Sequence, residues 1–244
     1  MLPKISLGPL TIHTFGLALG LAFLLISWLL AKEMVRHNRR PEVGGNITIA
    51  AFVGGVLGAK VYYLIDHWSD TMADFWGSVL SGAGLTYYGG LIGGALAVIW
   101  IGKRNGFAIR TLGDICAPLI ALGYGVGRIG CLLAGDDYGK PTDGWFGMAF
   151  PNGIQPTMER VIPTQIIEAA AGLAIFGFLW AIRDRWTDTP GRLFGLYLVL
   201  AGAERFLIEY WRTNAAYGPF TVAQWISLGL CVIGLALIGT ARRK

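Results

Sequence analysis

The sequence predicts an all-α, polytopic membrane protein: seven transmembrane helices, the N-terminus outside, the C-terminus cytoplasmic, and a small external cap. Three observations predict it. The 244 residues are 54% hydrophobic and only 14% charged, where a soluble domain carries about 25% charged residues. Apolar runs recur at lengths that suit a bilayer. The basic residues between those runs alternate in number from one connection to the next.

A helical span needs about 20 consecutive apolar residues. Such runs fall near 13–31, 46–65, 87–102, 113–133, 164–182, 193–211 and 222–240, the third being the shortest. The 36 glycines lie largely inside these runs, as they do where membrane helices pack closely, and the nine tryptophans suit interfacial anchoring. No basic stretch precedes the first run, so no cleavable leader is expected. The whole of 1–244 reads as one integral-membrane domain, with 135–163 as the external loop or cap.

Charge then orients the spans. The odd-numbered connections and the C-terminal tail carry 13 of the 20 Lys and Arg residues, whereas the N-terminus and the even-numbered connections carry four. The second connection contains Asp66, Asp70 and Asp74 and no base. Basic loops stay on the cytoplasmic side, which places the N-terminus outside. The three remaining bases, Lys60, Arg128 and Arg205, lie within spans.

The three cysteines, Cys116, Cys131 and Cys231, are widely separated in apolar context and show neither a disulfide framework nor metal-ligand spacing. No metal or cofactor is expected, and no nucleic-acid partner.

An arginine at the bilayer centre costs on the order of 2.5–3.5 kcal/mol, so it needs a partner or a purpose. Counted at the helical rise, Arg128 lies roughly 22 Å above the cytoplasmic end of its span, and Arg205 roughly 18 Å. Glu168 sits about a turn below the outer end of the fifth span. The buried charges therefore gather in the outer half. In AERFLIEYWR, Arg205 and Glu209 are spaced i,i+4 and share a helix face, with Arg212 near the same stripe. One reading is a salt bridge that ties helices together, with Arg212 at the interface. The other is a basic wall for an anionic headgroup, since guanidinium matches phosphate oxygens in bidentate geometry. Lys60 has a stem long enough to snorkel. Cys131 reads as a small apolar filler, Asp136 and Asp137 as a solvated loop pair. His13 reads as interfacial, and His37 and His67 as loop residues.

Taken together, several segments resemble the prolipoprotein diacylglyceryl transferase family, in order along nearly the whole chain. LGPLTIHTFGL, with Phe15, resembles its opening. GLTYYGGLIGG, with Tyr88, Gly89 and Gly90, resembles a segment that carries His-Gly-Gly or Tyr-Gly-Gly. GRIGCLLAGDDYG resembles the hallmark GRxGNFxNxExxG and supplies Gly127, Arg128, Gly130, Asp136 and Gly139. PTQIIE, with Gln165 and Glu168, ERFLIEYWR, with Arg205, Glu209 and Arg212, and TVAQWISL complete the match. The resemblance implies an enzyme of the bacterial plasma membrane, its active site toward the outer leaflet. It would transfer the diacylglyceryl group of phosphatidylglycerol, a membrane lipid, to the lipobox cysteine of a prolipoprotein signal peptide. Arg128 and Arg205 would bind and polarise the phosphate, with Arg212 and Glu209 in support. Tyr88, at the position of the family's His, would orient the substrate or relay a proton. The sequence departs from the hallmark at Cys131 and Ala134, which stand where the family has Asn, and at Asp136 in place of Glu. These departures motivate an alternative, a non-catalytic relative that binds anionic lipid or a lipoprotein partner.

Overall fold

The computed structural model describes residues 2–8, 10–81 and 86–242. Arg243 and Lys244 of the basic tail, and Gly84 and Leu85 at the start of GLTYYGG, lie outside the described residues. A hairpin of β1 (Lys4–Leu7) and β2 (Leu10–His13) leads into α1 (Thr14–Arg36), then α2 (Glu42–Asp66). Two short helices, α3 (Trp68–Ala73) and α4 (Phe75–Leu80), come before α5 (Tyr87–Arg104) and α6 (Ile109–Ala134). A second hairpin, β3 (Met148–Phe150) with β4 (Thr157–Val161), precedes α7 (Thr164–Ile182), which tightens into a 3-10 turn at Arg183–Trp186. Then come α8 (Arg192–Ile208), a 3-10 turn at Glu209–Trp211, the small hairpin of β5 (Ala216–Tyr217) and β6 (Phe220–Thr221), and α9 (Val222–Thr240).

The fold is mostly helical, and three hairpins among the described residues are its departure from the all-α expectation. Among the described residues, five helical segments are long and apolar enough to cross a membrane: Thr14–Arg36, Glu42–Asp66, Ile109–Ala134, Thr164–Trp186 and Val222–Thr240. The other two expected spans are shorter or more dilute. α5 opens on two tyrosines and four glycines within its first eight residues and ends on Lys103 and Arg104. α8 has 17 residues, because the chain leaves α-helical geometry at Glu209.

Backbone contacts divide the chain into two compact units. The smaller, Ser27–Leu112, is organised by α2 against α5. Gly54 and Gly58 of α2 face Gly89, Gly93 and Ala97 of α5; a Cβ on Gly58 would stand 2.4 Å from the Gly89 carbonyl oxygen. Only bare backbones fit there, which is how apolar helices gain contact inside lipid. At one end of this unit buried Glu33 pairs with Arg36, while Lys32 lies over Trp28 and Arg104 over Trp100. Lys60 does find partners: its Nζ donates to the Ser81 carbonyl at 2.9 Å and to its Oγ at 3.0 Å.

The larger unit, Met1–Ile26 with Gly113–Lys244, contains the pair α8–α9 and the contact of α6 with α7. Gly172 of α7 abuts the Gly125 backbone, and Gly195 of α8 abuts Gly234 of α9. Asp114 caps α8 by accepting from the Gly191 and Phe194 amides at 2.6 and 2.8 Å. Thr221 and Gln224 close a reciprocal cap on α9.

Residues 135–163 form an ordered loop. Gly135, at φ +69°, turns the chain out of α6; the Gly153 backbone packs so tightly on it that no side chain fits. Ile154 donates to the Ala134 carbonyl, and the Arg160 side chain holds the carbonyls of Trp145 and Gly147. Fully buried Phe150 stacks on Tyr138.

Candidate active site

Arg128 stands near the end of α6, one turn after Tyr124, whose ring its guanidinium overlies at 5.2 Å. α7 begins at Thr164, so Glu168 lies one turn in and is fully buried, at 0% exposure. A carboxylate so placed is stable only if charged partners surround it. It has three. Glu168 Oε1 takes Arg128 Nη2 at 3.1 Å and Arg205 Nη1 at 3.8 Å, and Oε2 takes Arg212 Nη1 at 3.6 Å. The two arginines singled out on different helices do meet, but around a carboxylate of the protein itself.

The i,i+4 spacing of Arg205 and Glu209 becomes an ion pair of 2.8 Å. Glu209 is buried as well; its Oε1 accepts from Thr221 Oγ1 and from Asn214 Nδ2, each at 2.8 Å. Arg212 lies just beyond the 3-10 turn. It reaches Glu168 and Asp137, so it belongs to the cluster. Burial pushes its guanidinium below the usual arginine value, and the nearby charge of Arg128 pushes the same way.

Asp137 corrects the reading of Asp136 and Asp137 as a solvated pair. Its carboxylate bridges Arg128 and Arg212, and its main-chain carbonyl accepts from Thr164 Oγ1 at 3.2 Å and Arg212 Nη1 at 3.3 Å. The residue sits at φ +59°, a left-handed conformation uncommon outside glycine. Asp136 faces inward instead. Its carbonyl accepts from Gln165 Nε2 at 2.6 Å, and burial raises its carboxyl above the usual carboxylate range, partly opposed by Cys131 and Arg128.

Three further contributors escaped the sequence reading: Tyr124, Asp137 and Glu204. The Tyr124 hydroxyl donates to Glu168 Oε1 at 3.1 Å and lies 3.4 Å from both Glu204 carboxylate oxygens, so it links α6, α7 and α8. An acidic residue within an apolar span, next to an arginine, was the available signal for Glu204.

The expected glycines take different parts. Gly139 packs on the Trp211 carbonyl, and Gly130 lies against Phe15 and Ala18 of α1. A Cβ on Gly127 would meet open space, which keeps one side of the helix accessible one residue before Arg128. Gly89 and Gly90 face α2 within the smaller unit, which also holds Tyr88. Among the described residues no group of His, Cys, Asp and Glu has the arrangement of a metal site.

Long apolar helices whose ends carry a buried network of arginines and carboxylates define a multi-pass membrane protein with a charged centre. The chain belongs to the prolipoprotein diacylglyceryl transferase family, whose family model matches residues 4–240. It is 30% identical over 241 residues to phosphatidylglycerol–prolipoprotein diacylglyceryl transferase 2 of Clostridium perfringens, covering 96% of this chain and 93% of that one. It is 31% identical to the Bordetella avium phosphatidylglycerol–prolipoprotein diacylglyceryl transferase over 98% of this chain and 94% of that one. The Clostridium tetani protein of the same name is also 31% identical, with 96% and 94% covered.

Proposed function

We propose that this chain transfers the diacylglyceryl group of phosphatidylglycerol to the lipobox cysteine thiol of a prolipoprotein. The observation that carries the reading is the convergence of Arg128, Arg205 and Arg212 around Glu168, within a chain that matches the family almost end to end. In the reaction the thiol sulfur attacks C3 of the lipid glycerol. A C–S bond forms, the C–O bond to phosphate breaks with its electron pair going to the phosphate oxygen, and glycerol phosphate leaves carrying the proton the thiol gave up. Negative charge grows on the departing phosphate, and guanidinium groups held in a water-poor site stabilise that charge more than they stabilise the bound lipid. Arg128 and Arg205 carry this part, with Arg212 in support beside Arg128. Glu168 and Glu209 fix their directions, and Tyr124 with Glu204 positions Glu168. A thiol is mostly protonated at neutral pH, so positive charge at the site also favours the attacking thiolate.

The membrane arrangement we infer has seven crossings, α5 and α8 joining the five longer spans. The N-terminus lies outside, and 135–163 forms an external cap on the site. The charge distribution between spans supports it. The site then faces the outer leaflet of a bacterial plasma membrane, where the lipobox of a signal peptide is presented.

A non-catalytic lipid-binding role is favoured by one observation. Cys131 and Ala134 offer no amide where the hallmark has Asn, and Ala134 is fully buried. Two assays separate the readings: rescue of a bacterial strain depleted of its own transferase, and a mass gain of one diacylglyceryl group on a lipobox peptide. We expect both for the native chain, loss of both for Arg128→Ala and Arg205→Ala, and at least partial turnover for Cys131→Ala. A fully active arginine variant would refute the phosphate assignment.

A further inference from the structure

We infer that Asp137 is a built-in stand-in for the lipid phosphate, which must leave Arg128 and Arg212 before an anionic headgroup binds. It thereby sets the affinity of the site for that headgroup. The inference rests on the lipid-binding reading above and assigns a role to a residue that the reading does not use.

Geometry comes first. Asp137 divides its carboxylate between two guanidiniums, Oδ2 to Arg128 Nη1 and Oδ1 to Arg212 Nη2. The two non-bridging oxygens of a phosphodiester present the same face to a pair of arginines. The aim of the side chain is imposed by the backbone, which holds a left-handed φ of +59° while the Asp137 carbonyl is pinned by Thr164 and Arg212. The main chain can therefore stay in place while the carboxylate swings away.

Charge points the same way. The ion pairs of the cluster join three guanidiniums (Arg128, Arg205, Arg212) to three carboxylates (Asp137, Glu168, Glu209). Glu204, joined to Glu168 through Tyr124, already puts the carboxylates in the majority, so a singly charged phosphodiester cannot simply be added to the set. Exchanged for Asp137, it leaves the charge of the cluster unchanged.

Exposure then identifies the carboxylate that can be exchanged. The side chains of Glu168 and Glu209 are both 0% exposed, whereas that of Asp137 is 36% exposed in front of Arg128 at 15% and Arg212 at 11%. Glu209 is held further by Thr221 and Asn214. Of these three carboxylates, Asp137 alone is partly exposed.

The test uses the full chain in detergent with dihexanoyl phosphatidylglycerol as the soluble probe and dihexanoyl phosphatidylcholine as the control. Binding is read as a rise in thermal midpoint, and turnover as transfer to a lipobox peptide. Asp137→Asn should lower both the half-saturating phosphatidylglycerol concentration and its KM about tenfold, the gain when a competing state populated about nine times in ten is removed. Asp137→Ala should shift them in the same direction and decides the matter if the Asn variant does not fold. If the native chain responds to phosphatidylglycerol and the variants bind it no better, the stand-in role is wrong and the lipid reading survives. If the native chain neither binds nor transfers, both ideas fall together. If neither variant folds, Asp137 is a structural clamp and the proposal fails.

Discussion

At the scale of single residues, the cluster shows how burial changes what a side chain is for. Asp136 and Asp137 are adjacent in sequence, yet one faces inward and the other bridges two arginines. Asp136 Oδ1 is buried with no hydrogen-bond partner among the described residues, so ionising the group is costly. Its carboxyl is accordingly raised, burial being the main cause. The folded state thus binds this proton more tightly than the unfolded state. The stabilisation is complete at pH below the ordinary carboxylate value and is lost as pH rises through the raised one. Asp136→Asn, neutral at every pH, should therefore be the more stable protein near neutrality, and its advantage should shrink toward zero on acidification. Thermal midpoints of both proteins in detergent, from about pH 4 to about pH 8, measure this. An advantage that grows in acid would mean that Asp136 is stabilised as a carboxylate after all.

Among the elements, the contact of α2 with α5 is the one in which sequence and packing are most directly linked. The i,i+4 rows Gly54–Gly58 and Gly89–Gly93–Ala97 bring the two backbones together, and a Cβ on Gly93 would come within 2.3 Å of the Gly54 carbonyl. A large residue there must push the helices apart, and overpacking of this kind costs about 1–3 kcal/mol or more. Gly58→Leu should lower the thermal midpoint of the purified chain by several degrees. Gly45→Ala in the same helix, where a Cβ meets open space, should leave it within a degree or so. Equal effects would show that the glycine row is not what holds this pair. The long spans and the Arg205–Glu209 pair were legible because helical periodicity writes local neighbours into sequence. Other features were not. The hairpins and the short α3 and α4 are too brief to show a period, and α1 runs past its apolar stretch to Arg36, with Glu33 paired to Arg36 in its last turns. Tyr124 meets Glu168 and Glu204 across 44 and 80 residues of sequence, and a single chain carries no mark of such pairings. Asp137 was read as loop because its neighbours are glycine, aspartate and tyrosine; nothing nearby in sequence signals the two arginines it bridges.

For the whole molecule, the number of crossings decides which side the site faces, and charge makes that number testable. If only the five longer helices crossed, with the N-terminus outside, residues 135–163 would lie in the cytoplasm. The connections holding Lys103, Arg104 and Arg110, and Arg183, Arg185 and Arg192, would then lie outside, against the side on which basic loops are retained. With α5 and α8 crossing as well, every one of those placements inverts. Both helices are long enough for this: α5 has 18 residues and α8 runs 17 before its 3-10 extension, and a hydrocarbon core of about 30 Å accepts spans of roughly 17–25 residues. The two arrangements thus make opposite predictions at two places. In a background with Cys116, Cys131 and Cys231 replaced by Ser, Trp145→Cys, at a position 90% exposed in the 135–163 loop, should react with a membrane-impermeant maleimide on intact spheroplasts. Asp188→Cys, in the connection between α7 and α8, should react only after the membrane is opened. The reversed pattern would leave five crossings and turn the arginine cluster toward the cytoplasm, away from the outer leaflet proposed for it. The transfer reaction proposed for the site therefore depends on the two shorter helices spanning the bilayer.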